Sequence, residues 1–101
     1  MTNAELAKIV KEKLRGLADA EDIFAEGTVG LAVPFGDGAY TFAVSEHDLT
    51  SWEEYSPADA EDALDYAEEN SIEADSSDAN RLMDDLTAIA IKLEALQFEI
   101  G

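Results

Sequence analysis

Thr28-Val29-Gly30-Leu31-Ala32-Val33-Pro34-Phe35-Gly36-Asp37-Gly38-Ala39-Tyr40-Thr41-Phe42-Ala43-Val44-Ser45 is the stretch that decides the fold. Leu31, Val33 and Phe35 alternate with small residues, and so do Tyr40, Phe42 and Val44. A two-residue period on both sides of a Gly-Asp-Gly turn signal predicts a β-hairpin, with strands near 28–35 and 40–45. Pairing residues whose numbers sum to 75 sets Phe35 against Tyr40, Val33 against Phe42 and Leu31 against Val44. All six large side chains then share one face; a slip of one residue would split them. Pro34 has no N–H to give a ladder. A two-residue loop in that register would demand one from it. The expectation is therefore a four-residue loop at 36–39, with the first strand at a sheet edge.

Outward from the hairpin, both flanks read as helix. Upstream, Leu6, Ile9, Val10, Leu14 and Leu17 form a stripe at helical spacing, predicting a helix over 3–17. Thr2 and Glu5 have capping-box spacing at its start, and Gly16 with the acids of 19–22 marks its end. Downstream, Thr50 and Glu53 are placed to cap a short turn carrying Trp52 and Tyr55. Ser56 then reads as an N-cap, with Pro57 first and Asp59 third in a second helix that stops near Asn70. Its apolar stripe is narrow: Ala60, Ala63, Leu64 and Ala67. A third helix is predicted over 78–97 from Leu82, Met83, Leu86, Ile89, Ala90, Leu93 and Leu96. Leu96, Phe98 and Ile100 also alternate, leaving room for a third short strand. The expected architecture is a single α+β domain over 1–101. It comprises an N-terminal helix, an antiparallel hairpin and two C-terminal helices packed on one sheet face.

The 101 residues suffice for one compact core, and the 47% apolar content supports it. There is no cysteine, so disulfides and thiolate chemistry are excluded. No apolar run approaches the ~20 residues of a membrane span, and no apolar leader opens the chain, so the cytoplasm is the expected compartment. Charge dominates the rest. The chain has 24 acids against 6 bases, a net of −18. Lys8, Lys11, Lys13 and Arg15 crowd the first fifteen residues, which carry +2, while the remainder carries −20. From Glu53 to Asp78 there are eleven acids and no base. Such a field repels nucleic acid and anionic membranes and attracts basic surfaces.

Catalytic signals are weak. His47 is the only histidine, and its sequence neighbours Glu46 and Asp48 are expected to face apart, so an exposed loop histidine is expected. No serine lies in a G-x-S-x-G context. Asp75-Ser76-Ser77-Asp78 is too short for a calcium loop and lacks its glycine. Gly36-Asp37-Gly38 lacks the lysine of a phosphate loop. No enzymatic activity, cofactor or metal is expected.

The acids admit three readings. As solvation or salt adaptation they should coat the whole surface; the lysine-poor body fits that, and the basic first helix fits it less well. As an adaptor, associating with a partner or a second copy, the chain would use Ile91, Phe98 or Ile100, residues partly off the third helix's stripe. As a mimic of nucleic acid, it would use the second helix. Duplex DNA carries one charge per ~3.4 Å along each strand, and helical carboxylates at i, i+3 and i+4 stand ~5–6 Å apart, a roughly phosphate-like density. The expected partner-binding face is Glu53, Glu54, Asp59, Glu61, Asp62, Asp65, Glu68 and Glu69, with Trp52 and Tyr55 as anchors. Reversing Asp62, Asp65 and Glu69 to lysine is expected to spare folding and abolish binding.

The hairpin over 31–44 and the run Ser56-Pro57-Ala58-Asp59-Ala60-Glu61-Asp62-Ala63-Leu64-Asp65-Tyr66-Ala67-Glu68-Glu69-Asn70 together resemble small acidic phage-encoded inhibitors of bacterial defence. These are the anti-CRISPR and anti-restriction proteins that act as DNA mimics. The resemblance lies in composition and element order rather than in a motif. It implies an inhibitor of a basic nucleic-acid-binding complex, working in the bacterial cytoplasm without touching nucleic acid itself.

Overall fold

The computed structural model describes residues 2–21 and 27–100. In chain order it contains α1 (Asn3–Lys13), β1 (Asp19–Glu21), β2 (Thr28–Phe35), β3 (Gly38–Ser45), a 3-10 turn (Ser51–Tyr55), α2 (Ala60–Glu69) and α3 (Ser76–Ile100). The fold is α+β: an N-terminal helix, a three-stranded antiparallel sheet in the order β1-β2-β3, then two C-terminal helices.

The hairpin keeps the expected face but not the expected register. Leu31 pairs with Phe42, Val33 with Tyr40 and Phe35 with Gly38, so paired numbers sum to 73 rather than 75. A slip of two preserves the pleat, and Val29, Leu31, Val33, Phe35, Tyr40 and Val44 are all buried together. The loop is Gly36-Asp37, two residues rather than four. Gly36 has φ 58°, the left-handed first position that a II′ hairpin turn gives to glycine. Moving the loop one residue upstream also resolves the proline. Phe35 and Gly38 close the turn as a hydrogen-bonded pair, so Pro34 and Ala39 form a non-hydrogen-bonded pair that needs no N–H from Pro34. β2 is central, not an edge. β1 covers its other side from Gly30 to Ala32 and stops short of Pro34.

Boundaries move where capping chemistry decides them. Thr2 Oγ1 accepts the Glu5 N–H at 3.1 Å and starts α1 as expected. The helix ends at Lys13, four residues early, although Leu14 remains buried. Of the acids expected to end it, Asp19 opens β1, while Asp22 lies outside the described residues. The third strand is thus Asp19–Glu21, and residues 96–100 continue α3 instead. α3 begins at Ser76 because Asp75 and Asp78 cap each other. Asp75 Oδ1 accepts the Asp78 N–H at 2.9 Å, and Asp78 Oδ2 accepts the Asp75 N–H at 3.1 Å.

The core lies between the large-residue sheet face and the helices. Leu6, Val10 and Leu14 come from the α1 segment, and Leu82, Leu86, Ile89, Leu93 and Leu96 from α3. α3 is tied down at its end: Gln97 Oε1 accepts the Leu49 N–H at 2.6 Å and its Nε2 donates to the Glu46 carbonyl at 3.3 Å. Among the described residues no helix is long and apolar enough to cross a membrane.

Candidate acidic binding face

α2 is where the acids are organised, and its position is fixed from both ends. Its N-cap is Asp59, not Ser56: Asp59 Oδ1 accepts the Asp62 N–H at 3.0 Å. The Ser56 hydroxyl instead donates to the Glu53 carbonyl at 2.8 Å, closing the preceding turn. Ser56 itself is extended, as a residue before proline prefers. Asp62 Oδ2 accepts the Ala58 N–H at 3.2 Å. At the other end Asn70 terminates the helix as expected, and its Nδ2 donates to the Tyr66 carbonyl at 2.9 Å. The Ile72 N–H reaches the Ala67 carbonyl at 2.8 Å and the Ser71 N–H the Glu68 carbonyl at 3.3 Å, a Schellman closure with Ser71 at φ 57°.

Two small residues seat α2. Ala63 and Ala67 are buried, and the helix packs on α3. Tyr66 leans the other way, its ring 4.7 Å from Tyr40 and its hydroxyl accepting the Thr41 N–H at 3.3 Å. At 100° per residue, Glu61, Asp65, Glu68 and Glu69 project from the side opposite Ala63 and Ala67, and all four are exposed. The described ion pairs are Lys11 with Asp19 and Lys13 with Glu99, and His47 Nε2 lies within 3.7 Å of Glu46. None involves α2. Glu53 and Glu54, in the turn just upstream, are likewise exposed.

The ten residues expected to form the face therefore separate by role. Glu53, Glu54, Glu61, Asp65, Glu68 and Glu69 are exposed carboxylates that no described base neutralises. Asp59 and Asp62 are exposed too, but their oxygens hold the helix start. Reversing Asp62 would therefore remove one hydrogen bond at the helix start as well as one charge of the face. Trp52 is only 5% exposed, with its ring stacked on Phe42 at a centroid distance of 4.4 Å, so it is a core lid and not an exposed anchor. Tyr55, three residues on, is 84% exposed. Thr50 is the N-cap of the turn carrying both, as expected, but its side chain bonds backward instead of capping: Asp48 Oδ1 accepts both the N–H and the hydroxyl of Thr50 at 3.1 Å.

Sequence reasoning missed the tie that anchors the end of this region to the hairpin. The Asp37 N–H donates to the Glu73 carbonyl at 3.0 Å, and the Glu73 N–H donates to Asp37 Oδ1 at 2.8 Å. The α2–α3 connection is thereby pinned to the β2–β3 turn. Nothing local signals a contact across 36 residues. The Asp75–Asp78 spacing, by contrast, was a readable cap. Among the described residues no group of three histidine or carboxylate side chains converges to hold a metal. His47 is exposed, 3.7 Å from Glu46 through Nε2.

No family model matches this chain, and no characterised protein or solved structure matches it.

Proposed function

We propose that this chain is an acidic inhibitor that occupies a basic nucleic-acid-binding surface by presenting the carboxylates of α2 where phosphates would lie. The target class is a bacterial defence complex of the kind blocked by the inhibitors it resembles. One observation carries the reading. A helix capped at both ends and seated through two alanines directs Glu61, Asp65, Glu68 and Glu69 outward, with no described base beside them. Like charges at i,i+4 cost a few tenths of a kcal/mol per pair, so folding alone does not favour this row. A partner with closely spaced lysines and arginines would gain from it, through fast, steered and salt-sensitive association. Capture from bacterial lysate tests the reading. The native chain should retain a nucleic-acid-binding complex at low salt and lose it at moderate salt. A variant carrying Glu61→Gln, Asp65→Asn, Glu68→Gln and Glu69→Gln should retain far less. Equal capture by that variant would refute the mimic.

A second reading, an adaptor using an apolar surface, is favoured by Ile91 and Phe98 on α3, which are 65% and 83% exposed. Association of that kind persists in salt.

A further inference from the structure

Beside the acidic face runs a groove of about 400 Å³ between the Ser51–Tyr55 turn and α3. Met83, Leu86, Ala90 and Ile91 are in its lining at spacings that place them along one side of α3. Trp52 is part of the opposite wall, and its buried Nε1–H has no acceptor among the described residues. Two carboxylates, Glu53 and Glu94, also border the groove, and no lysine or arginine does. We propose that this groove seats a cationic amphipathic helix of the partner protein, its apolar face against Ile91 and Ala90 and its lysines or arginines against Glu53 and Glu94. The inference rests on the reading of this chain as a binder of basic proteins, and it names the element of the partner that is held.

Charge decides the occupant. The apolar side chains of α3 share the lining with Ser56, Thr87 and the two carboxylates, a mixed surface that matches a helix with a few apolar anchors and basic flanks, the helix-in-groove mode of recognition. A second copy of this chain fits poorly, because each copy carries a net −18 and brings further acids to the same borders. The one basic helix of the chain, α1, has Leu6, Ala7 and Val10 buried in its own core and has no apolar face to offer. The groove adjoins the acidic face through Glu53, so one partner would span both.

Trp52 is the only tryptophan and lines the groove, so its fluorescence reports occupancy directly. The probe is a synthetic helical peptide of leucine and lysine, with leucines at i, i+3, i+4 and i+7 and no aromatic residue. Its control is the same composition scrambled so that no apolar face forms. The expected result is a saturable one-to-one change in Trp52 emission, with the scrambled peptide weaker by about tenfold or more, the scale of one lost anchor. Ile91→Glu should abolish the change. Phe98→Ser, outside the groove, should preserve it, and so should the four-fold neutral variant of α2. Equal binding of the two peptides overturns the proposal. So does indifference to Ile91→Glu, or loss in the α2 variant, which would place the peptide on the α2 charges. A sedimentation mass of two chains that Ile91→Glu halves would show a second copy in the groove and overturn it as well. Displacement of nucleic acid by α2 is measured separately, so the groove can fail while the mimic stands.

Discussion

Gly36 shows most sharply how one residue holds distant parts of this fold together. Its φ of 58° favours glycine, and what excludes a side chain is space: a Cβ there would collide with the carbonyl oxygen of Glu73 and press on Ala74. Gly16 also has positive φ, at 85°, but open space around it. Gly36→Ala should therefore cost about 3 kcal/mol, strain plus overpacking, against about 1 kcal/mol for Gly16→Ala, read from urea unfolding midpoints. Similar costs would mean that the hairpin tip and the Glu73 segment are not in contact. Asp85 supplies a pH-dependent case. Burial pushes its carboxyl above the ordinary 3.8 and Asp84 adds to the rise, while Arg81 opposes it. The folded state then holds the proton more tightly than the unfolded chain. The ionised form weakens folding above the folded pKa, and that cost disappears as pH falls through it. Asp85→Asn should raise Tm at neutral pH by more than Asp84→Asn, which removes the same charge from an exposed site. The difference should vanish in acid. A difference that grows in acid would contradict the assignment.

At the scale of elements, periodicity was the legible part and capping the less legible one. Leu82, Leu86, Ile89, Leu93 and Leu96 repeat over enough turns that tertiary context had nothing to override. The hairpin's parity was equally fixed, since only odd sums keep Val33 and Tyr40 on one face. Its exact register depended on a proline and on where one glycine could turn, and two registers met the parity rule. Asp59 displaced Ser56 as a cap because either residue could serve; only the turn preceding α2, closed by the Ser56 hydroxyl, chose between them. Trp52 was ambiguous for another reason. An aromatic beside an acidic run reads the same whether it is an anchor or a lid, and only the stacking on Phe42 distinguishes them. α2 yields the prediction of this scale. Neutralising Glu61, Asp65, Glu68 and Glu69 should leave Tm unchanged or raise it slightly, since i,i+4 repulsions are relieved. A fall in Tm would show that these carboxylates serve the fold.

For the whole molecule, charge and shape act together. The body measures 38 × 23 × 23 Å, while the Debye length at physiological ionic strength is ~8 Å, so distant charges are screened and each face acts locally. Self-repulsion of a −18 chain is also screened, and stability should rise with added sodium chloride as partner binding falls. Opposite salt responses of folding and binding in the same preparation would separate the binding charges from fold stability; parallel responses would merge them. The most direct test is displacement of labelled duplex DNA from a purified RNA-guided defence nuclease, one captured by the native chain. The native protein should compete with the duplex, with an affinity that falls steeply as salt rises. The variant neutralised at Glu61, Asp65, Glu68 and Glu69 should fail to compete while remaining folded. A folded variant that still displaces the DNA would contradict the account.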